Sequence, residues 1–230
     1  MQFHRGRGKQ RMEKIGIMGG TFNPIHLAHL ILAESAREQA GLSHVIFLPS
    51  KRTLEKADSY ILSDEARCKL IELAIRDNPH FSLSKMEIVR GGTTYTADTV
   101  SELKRKNPDR EYYFIIGGDS LLNFAYWNRP EVILKNARLL ATSRGTIPKE
   151  KILAAAEYLE KCFDTEIVLF DTPKMEISST DLRARCASGR SLRYLVPEAV
   201  EKFLRERGCY RNKSAFSCSA EMECEYEQQN

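Results

Sequence analysis

A chain of 230 residues, 42% of them hydrophobic, has material for one large α/β domain, or a domain with a small appendage, and is too apolar for global disorder. Its formal net charge of +4 suits a binder of anionic small molecules. The basic residues do not form the stripe with interleaved aromatics that nucleic-acid binding uses, and no apolar run approaches the ~18 residues of a membrane span, so neither nucleic acid nor membrane is expected as a partner.

The basic N-terminus lacks the apolar segment of a secretory signal, and residues 1–12 read as a flexible extension. An apolar run at 14–18 predicts a buried first strand. It ends at Gly19 and Gly20, and helical spacing begins at Leu27. A second strand is expected at 45–49 and a helix from Ser63, a plausible N-cap, to Arg76. Residues 81–84 and 86–89 both read as short strands. A helix over 96–106 follows, then strands at 112–116, 138–142 and 166–170, and a last helix over 197–207. Continuous apolar strands alternating with helices predict an α/β fold, a doubly wound parallel sheet with a small C-terminal helical part. The folded domain is placed at 13–210, and the polar, acidic segment 211–230 reads as a disordered tail. The cysteines at 68, 162, 186, 209, 218 and 224 form no CxxC pair. Free thiols in a reducing cytosol account for them and predict a cytoplasmic location, with a metal or disulfide role left open for Cys218 and Cys224.

Ligands of such sheets bind at the carboxyl ends of the strands, where the motifs of this chain also fall. After the first strand, Gly19-Gly20-Thr21-Phe22-Asn23-Pro24-Ile25-His26-Leu27-Ala28-His29 joins a glycine pair to a helix start. Small residues let backbone approach a ligand, N–H groups at the helix start attract anions, and His26 and His29 share a face of the first turn. No lysine followed by Ser or Thr completes a Walker loop, and the three-glycine dinucleotide fingerprint is absent. Gly117-Gly118-Asp119-Ser120 follows the strand at 112–116. Its carboxylate can accept from ribose hydroxyls or an adenine amine, or simply cap a helix. Ser178-Ser179-Thr180-Asp181-Leu182-Arg183 offers hydroxyls and, one turn on, a guanidinium fork that suits phosphate or solvent equally. Thr93-Thr94-Tyr95-Thr96-Ala97-Asp98-Thr99 gathers hydroxyls at a helix start, as an anion site or an N-cap. Trp127, the single tryptophan, serves either as a core anchor or as a stacking platform.

The first string resembles the GxFxPxHxGH signature of the nucleotidylyltransferase superfamily, with Ala28 where the family usually has glycine. Taken in order, GGTFNPIH, TYTADT, IIGGDSL, Trp127, ISSTDLR and RYLVPEAV are similar to the bacterial-type nicotinate mononucleotide adenylyltransferases, over residues 14–210. The resemblance implies a Rossmann-like fold and transfer of AMP from ATP to nicotinate mononucleotide, giving deamido-NAD and pyrophosphate. It implies that Gly19, Gly20, Thr21 and Phe22 bring backbone to the nucleotides. His26 and His29 would hold the phosphates and the transition-state charge, Gly117 and Asp119 the adenosine, and Ser179, Thr180 and Arg183 the ATP phosphates. The acid-bearing ring would fall to Thr94, Tyr95 and Thr96, with Trp127 stacking on it. No carboxylate cage for metal is expected, so Mg²⁺ arrives on the ATP phosphates. The family's Pro-Pro-His-Lys segment is missing, and Lys51, Arg52 and Lys56 are the candidates to replace its charge. Rival readings are an adenylyltransferase for nicotinamide mononucleotide or phosphopantetheine, and a nucleotide-binding regulatory protein without turnover. Homo-oligomerisation is left open.

Overall fold

In the computed structural model, which describes residues 12–51, 61–142 and 147–211, the strands form one parallel sheet. The strands are β1 (Glu13–Gly20), β2 (His44–Pro49), β3 (Phe81–Leu83), β4 (Arg110–Ile116), β5 (Arg138–Thr142) and β6 (Ile167–Phe170), in the spatial order β3-β2-β1-β4-β5-β6. The order reverses between β1 and β4, so a crevice opens beyond their carboxyl ends. The glycine pairs 19–20 and 117–118 both lie at that crevice. The predicted fold class is therefore the one observed.

Helices cover both faces, which explains why the strands are apolar throughout rather than alternating. On one face α1 (Leu27–Ala40), α2 (Asp64–Ile75), α8 (Ser179–Ala187) and α9 (Glu198–Glu206) pack Ala33, Ala36, Leu70, Ile71, Leu182, Val200 and Leu204 onto Met18, Val45 and Phe47. On the other, α4 (Thr96–Lys106), α6 (Pro130–Asn136) and α7 (Lys149–Phe163) bring Val100, Leu103, Ile133, Ile152 and Leu159 against Ile15, Ile17 and Phe114. Ser63 caps α2, accepting from the Ala66 N–H at 3.2 Å.

One expected strand is a helix. Residues Met86–Arg90 form α3, in which Glu87 is buried and Val89 is 82% exposed. A five-residue stretch carries too little periodicity to separate the two states, and the buried glutamate decides it. Glu87 turns inward to meet two threonine hydroxyls, leaving the β-branched Val89 in solvent. The remaining helix, α5 (Gly118–Asn123), runs into a 3₁₀ turn at Phe124–Tyr126. Of the predicted extensions, residues 1–11 and 212–230 lie outside the described residues, with Cys218 and Cys224 among them; Cys68, Cys162, Cys186 and Cys209 are free thiols.

Candidate active site

The loop from β1 to α1 is held from all sides. Arg67 of α2 is wholly buried beneath it. Its Nη1 donates to the Thr21 carbonyl (2.6 Å), and its Nη2 to the Ser50 carbonyl (2.7 Å) and to Asp64. One guanidinium thus ties the exits of β1 and β2 together, and the Ser50 N–H adds a bond to the Gly20 carbonyl (2.9 Å). The Asn23 side-chain oxygen accepts from the Leu62 N–H (3.1 Å) and from the Tyr210 hydroxyl (2.7 Å). A Cβ on Gly20 would sit 3.2 Å from the Phe22 ring, so this glycine makes room for the loop's own aromatic.

Phe22, at φ 49°, is buried and meets the His29 ring edge-on, with centroids 5.1 Å apart. His26, in extended backbone at the N-cap of α1, stacks on His29 at 3.7 Å between centroids. The His26 backbone N–H donates to His29 Nδ1 at 3.2 Å. That nitrogen must then carry a lone pair, which puts the proton of the neutral His29 ring on Nε2. His26 Nδ1 is buried and has no partner among the described residues. Burial lowers the His26 pKa to about 4, and burial with the neighbouring His26 lowers that of His29 to about 3. Both imidazoles are therefore neutral at pH 7 without a ligand. The helix start is less open than its sequence suggests, because the Leu27 N–H donates to the Leu195 carbonyl (3.0 Å) of the RYLVP segment.

Helix α8 closes the other side. Ser178 caps it, accepting from the Asp181 N–H (3.1 Å). Ser179 Oγ donates to the Pro24 carbonyl (2.9 Å). Arg183 spans the junction, Nη1 to the Asn23 carbonyl (2.9 Å) and Nη2 to Thr180 Oγ1 (3.2 Å). So His26, His29, Ser179, Thr180 and Arg183 converge on one loop, together with the backbone of Gly19, Gly20, Thr21 and Phe22. Gly117 and the exposed Asp119 stand at the end of β4, across the switch point.

The second predicted cluster divides. Thr94 and Thr99 donate to the two oxygens of buried Glu87, at 3.0 and 2.8 Å, and Arg90 donates to Thr99 Oγ1 (3.0 Å). Their hydroxyls serve the α3–α4 junction, which leaves the half-buried Thr96 and the exposed Tyr95 as the outward members. Trp127, half-buried, packs edge-on to Phe114 (5.9 Å) and tilted on Phe124 (5.3 Å), so one face of the residue belongs to the core. Lys51 donates to the Ile88 carbonyl (3.4 Å), beside Gly91; Arg52 and Lys56 lie outside the described residues.

Sequence reasoning missed three features. Arg67 reads as an ordinary helix-surface arginine, since its carbonyl partners are 46 and 17 residues away. The Tyr210–Asn23 bond spans 187 residues. A mostly apolar cavity of about 150 Å³, lined by Ala28, Ile31, Leu32, Pro173, Met175 and the mutually hydrogen-bonded Thr142 and Thr172, lies beside α1 at the ends of β5 and β6.

The chain matches the cytidylyltransferase-like family over residues 17–185. It is 50% identical over 199 residues to a protein of Lachnoclostridium phytofermentans described as a probable nicotinate-nucleotide adenylyltransferase, a match covering 86% of this chain and 100% of the relative. A protein of Exiguobacterium sibiricum with the same description is 42% identical, over 86% of this chain and 98% of its own. Among solved structures, the fold is shared with a Plasmodium falciparum nicotinic acid mononucleotide adenylyltransferase complexed with NaAD, at a TM-score of 0.69 and 18% identity, over 86% of this chain and 97% of that one.

Proposed function

The chain belongs to the cytidylyltransferase-like family, among its nicotinate-nucleotide adenylyltransferases, and we propose that it transfers AMP from ATP to the phosphate of nicotinate mononucleotide. An oxygen of the acceptor phosphate attacks the α-phosphorus in line. The bond from that phosphorus to the β-bridging oxygen breaks, and deamido-NAD and pyrophosphate leave with no change of oxidation state. The observation that carries this reading is the convergence of two imidazoles and one guanidinium on the loop between β1 and α1. Such a reaction needs no covalent nucleophile from the protein. It needs positioning, and donors aimed at charge that builds on phosphate oxygens.

In this reading the Nε2–H of His29 and the ring of His26 donate to the phosphates, and Arg183 adds its fixed charge from α8. The backbone of Gly19, Gly20, Thr21 and Phe22 and the hydroxyls of Ser179 and Thr180 line the same cradle. Gly117 and Asp119 face the adenosine from β4, and the apolar cavity beside Ala28 offers its base a dry surface. Thr96 and Tyr95, at the start of α4, and Trp127 take the acid-bearing ring. The groups around the cradle are imidazoles and a guanidinium, which suit phosphate oxygens rather than a hard cation, so Mg²⁺ belongs to the substrate as MgATP. A cytoplasmic place fits the four free thiols and the lack, among the described residues, of any helix long and apolar enough to cross a membrane.

The test is pyrophosphate release by the purified chain with MgATP and either nicotinate or nicotinamide mononucleotide. Release with the acid substrate, and much less with the amide, is expected. No release with either would leave a nucleotide-binding protein without turnover.

A further inference from the structure

Tyr210 has an unusual backbone. Its φ of 63° lies in the left-handed region, where a bulky aromatic is rare and costs free energy that surrounding contacts must offset. The turn that imposes it follows α9. Gly208 also has φ 60°, the Cys209 N–H donates to the Leu204 carbonyl (3.0 Å), and the Arg211 N–H to the Gly208 carbonyl (3.3 Å). The result is that the Tyr210 side chain enters the core, 5% exposed, and its hydroxyl reaches Asn23 Oδ1 at 2.7 Å. Burial raises the phenol's pKa well above its ordinary value, so the group stays a hydrogen-bond donor at every working pH.

Asn23 is a junction. Its side-chain oxygen takes the Tyr210 hydroxyl and the Leu62 N–H, while its carbonyl takes Arg183 Nη1. Leu62 lies at the start of α2's lead-in, and Arg183 lies on α8. A shift of Asn23 therefore moves the guanidinium's anchor and, three residues on, His26. We propose that Tyr210 is a positioning residue for the adenylyl transfer, acting through Asn23 to fix the carbonyl that orients Arg183. The left-handed turn after α9 would then be part of the frame of the active site, and its strain is what delivers the hydroxyl there.

This inference rests on the function proposed above, and a double-mutant cycle separates the two. Wild type, Tyr210→Phe, Arg183→Lys and the double variant are compared for kcat, for KM of ATP and of nicotinate mononucleotide, and for melting temperature. Tyr210→Phe removes one oxygen and should lower kcat about fivefold, the scale of one lost hydrogen bond, with KM for nicotinate mononucleotide unchanged. In the Arg183→Lys background the same change should cost less than about twofold, because the group that Tyr210 orients is already gone. Losses that multiply, or a lower melting temperature with unchanged kcat, would make Tyr210 a structural residue only and overturn the inference. If Tyr210→Phe does not fold, Asn23→Ala replaces it in the same cycle. If the wild type releases no pyrophosphate, the proposed function falls, and the cycle is read on ATP affinity, where additivity again overturns the inference.

Discussion

The rings of His26 and His29 lie face to face, 3.7 Å between centroids and 26° from parallel. Two cations cannot share that geometry in a buried site, and burial alone already disfavours one. Both rings are consequently held neutral, with pKa values near 4 and 3. In the proposed function, a triphosphate brought against them would supply the missing counter-charge and raise both pKa values.

The first prediction is that binding of ATP near pH 6 takes up protons. Titration calorimetry in buffers of different ionisation enthalpy should show an apparent binding enthalpy that depends on the buffer, and His29→Gln should reduce that dependence. The ligand-free protein shows the opposite face of the same shift. A histidine whose folded pKa lies below its unfolded value binds fewer protons when folded, so stability is retained above about pH 7 and lost as pH falls from 6.5 toward 4. For buried His26 the slope approaches about 1.4 kcal/mol per pH unit. Thermal melts from pH 7 to 5 should fall less steeply in His26→Gln than in the wild type.

Removing a single imidazole tests its part in the chemistry. His26→Ala should lower kcat by at least ~100-fold, the usual scale for loss of one transition-state charge stabiliser. Circular dichroism should stay that of the wild type. Turnover within a few-fold of wild type would take His26 out of the mechanism.

Arg67 is the test of the frame beneath the loop. Arg67→Met keeps much of the volume but leaves the Thr21 and Ser50 carbonyls and Asp64 without their shared donor. Breaking such a buried constellation from one side costs about 3–5 kcal/mol. Urea unfolding should show a loss of that order, and the midpoint of an exposed control, Arg76→Met, should hardly move.

These residues also mark how far the sequence could be read. The β1–α1 junction and the cap at Ser63 were legible because each rests on contacts within a few residues, and local chemistry and hydrophobic period agree there. The histidines, Arg183 and the serine-threonine helix start were legible as a set of motifs. Their meeting place follows from the fold, which brings the start of α8, after β6, against the loop that leaves β1. Arg67 and Tyr210 were not legible, because nothing near position 67 or 210 announces carbonyl or amide partners 17 to 187 residues away. Residues 86–89 misread as a strand because their burial is set by Glu87, whose partners Thr94 and Thr99 lie just before and on the next helix.

Arg183→Lys keeps the charge and loses the fork. A lysine can reach the Asn23 carbonyl or Thr180, but not hold both in the plane that a guanidinium defines. The melting temperature should change by no more than a few degrees, while kcat/KM for ATP falls at least tenfold. Equal kcat/KM would reduce Arg183 to a brace between α8 and the loop.

The last prediction concerns the choice between acid and amide. Nicotinate and nicotinamide mononucleotides differ only in a carboxylate or carboxamide on the ring. In the proposed site, the N-terminal dipole of α4 would face that group, and Tyr95 at its N-cap makes no side-chain cap bond. An amide there would turn donors toward donors, at about 1–3 kcal/mol for each group left unpaired. Glu87 beneath the same segment works against an anion; burial raises its pKa, while Thr94 and Thr99, which spend their hydroxyls on it, lower it. The two threonines at 94 and 96 should therefore behave differently. Thr96→Val should shrink the preference for the acid, measured as the ratio of kcat/KM values, roughly tenfold. Thr94→Val should lower the melting temperature through Glu87 and leave the ratio alone. Trp127→Ala should raise KM for both substrates equally, because an indole stacks on either ring, and it should also cost stability through Phe114 and Phe124. If Thr94→Val changes the ratio and Thr96→Val does not, the carboxylate lies nearer Glu87 than the outward face of α4 allows.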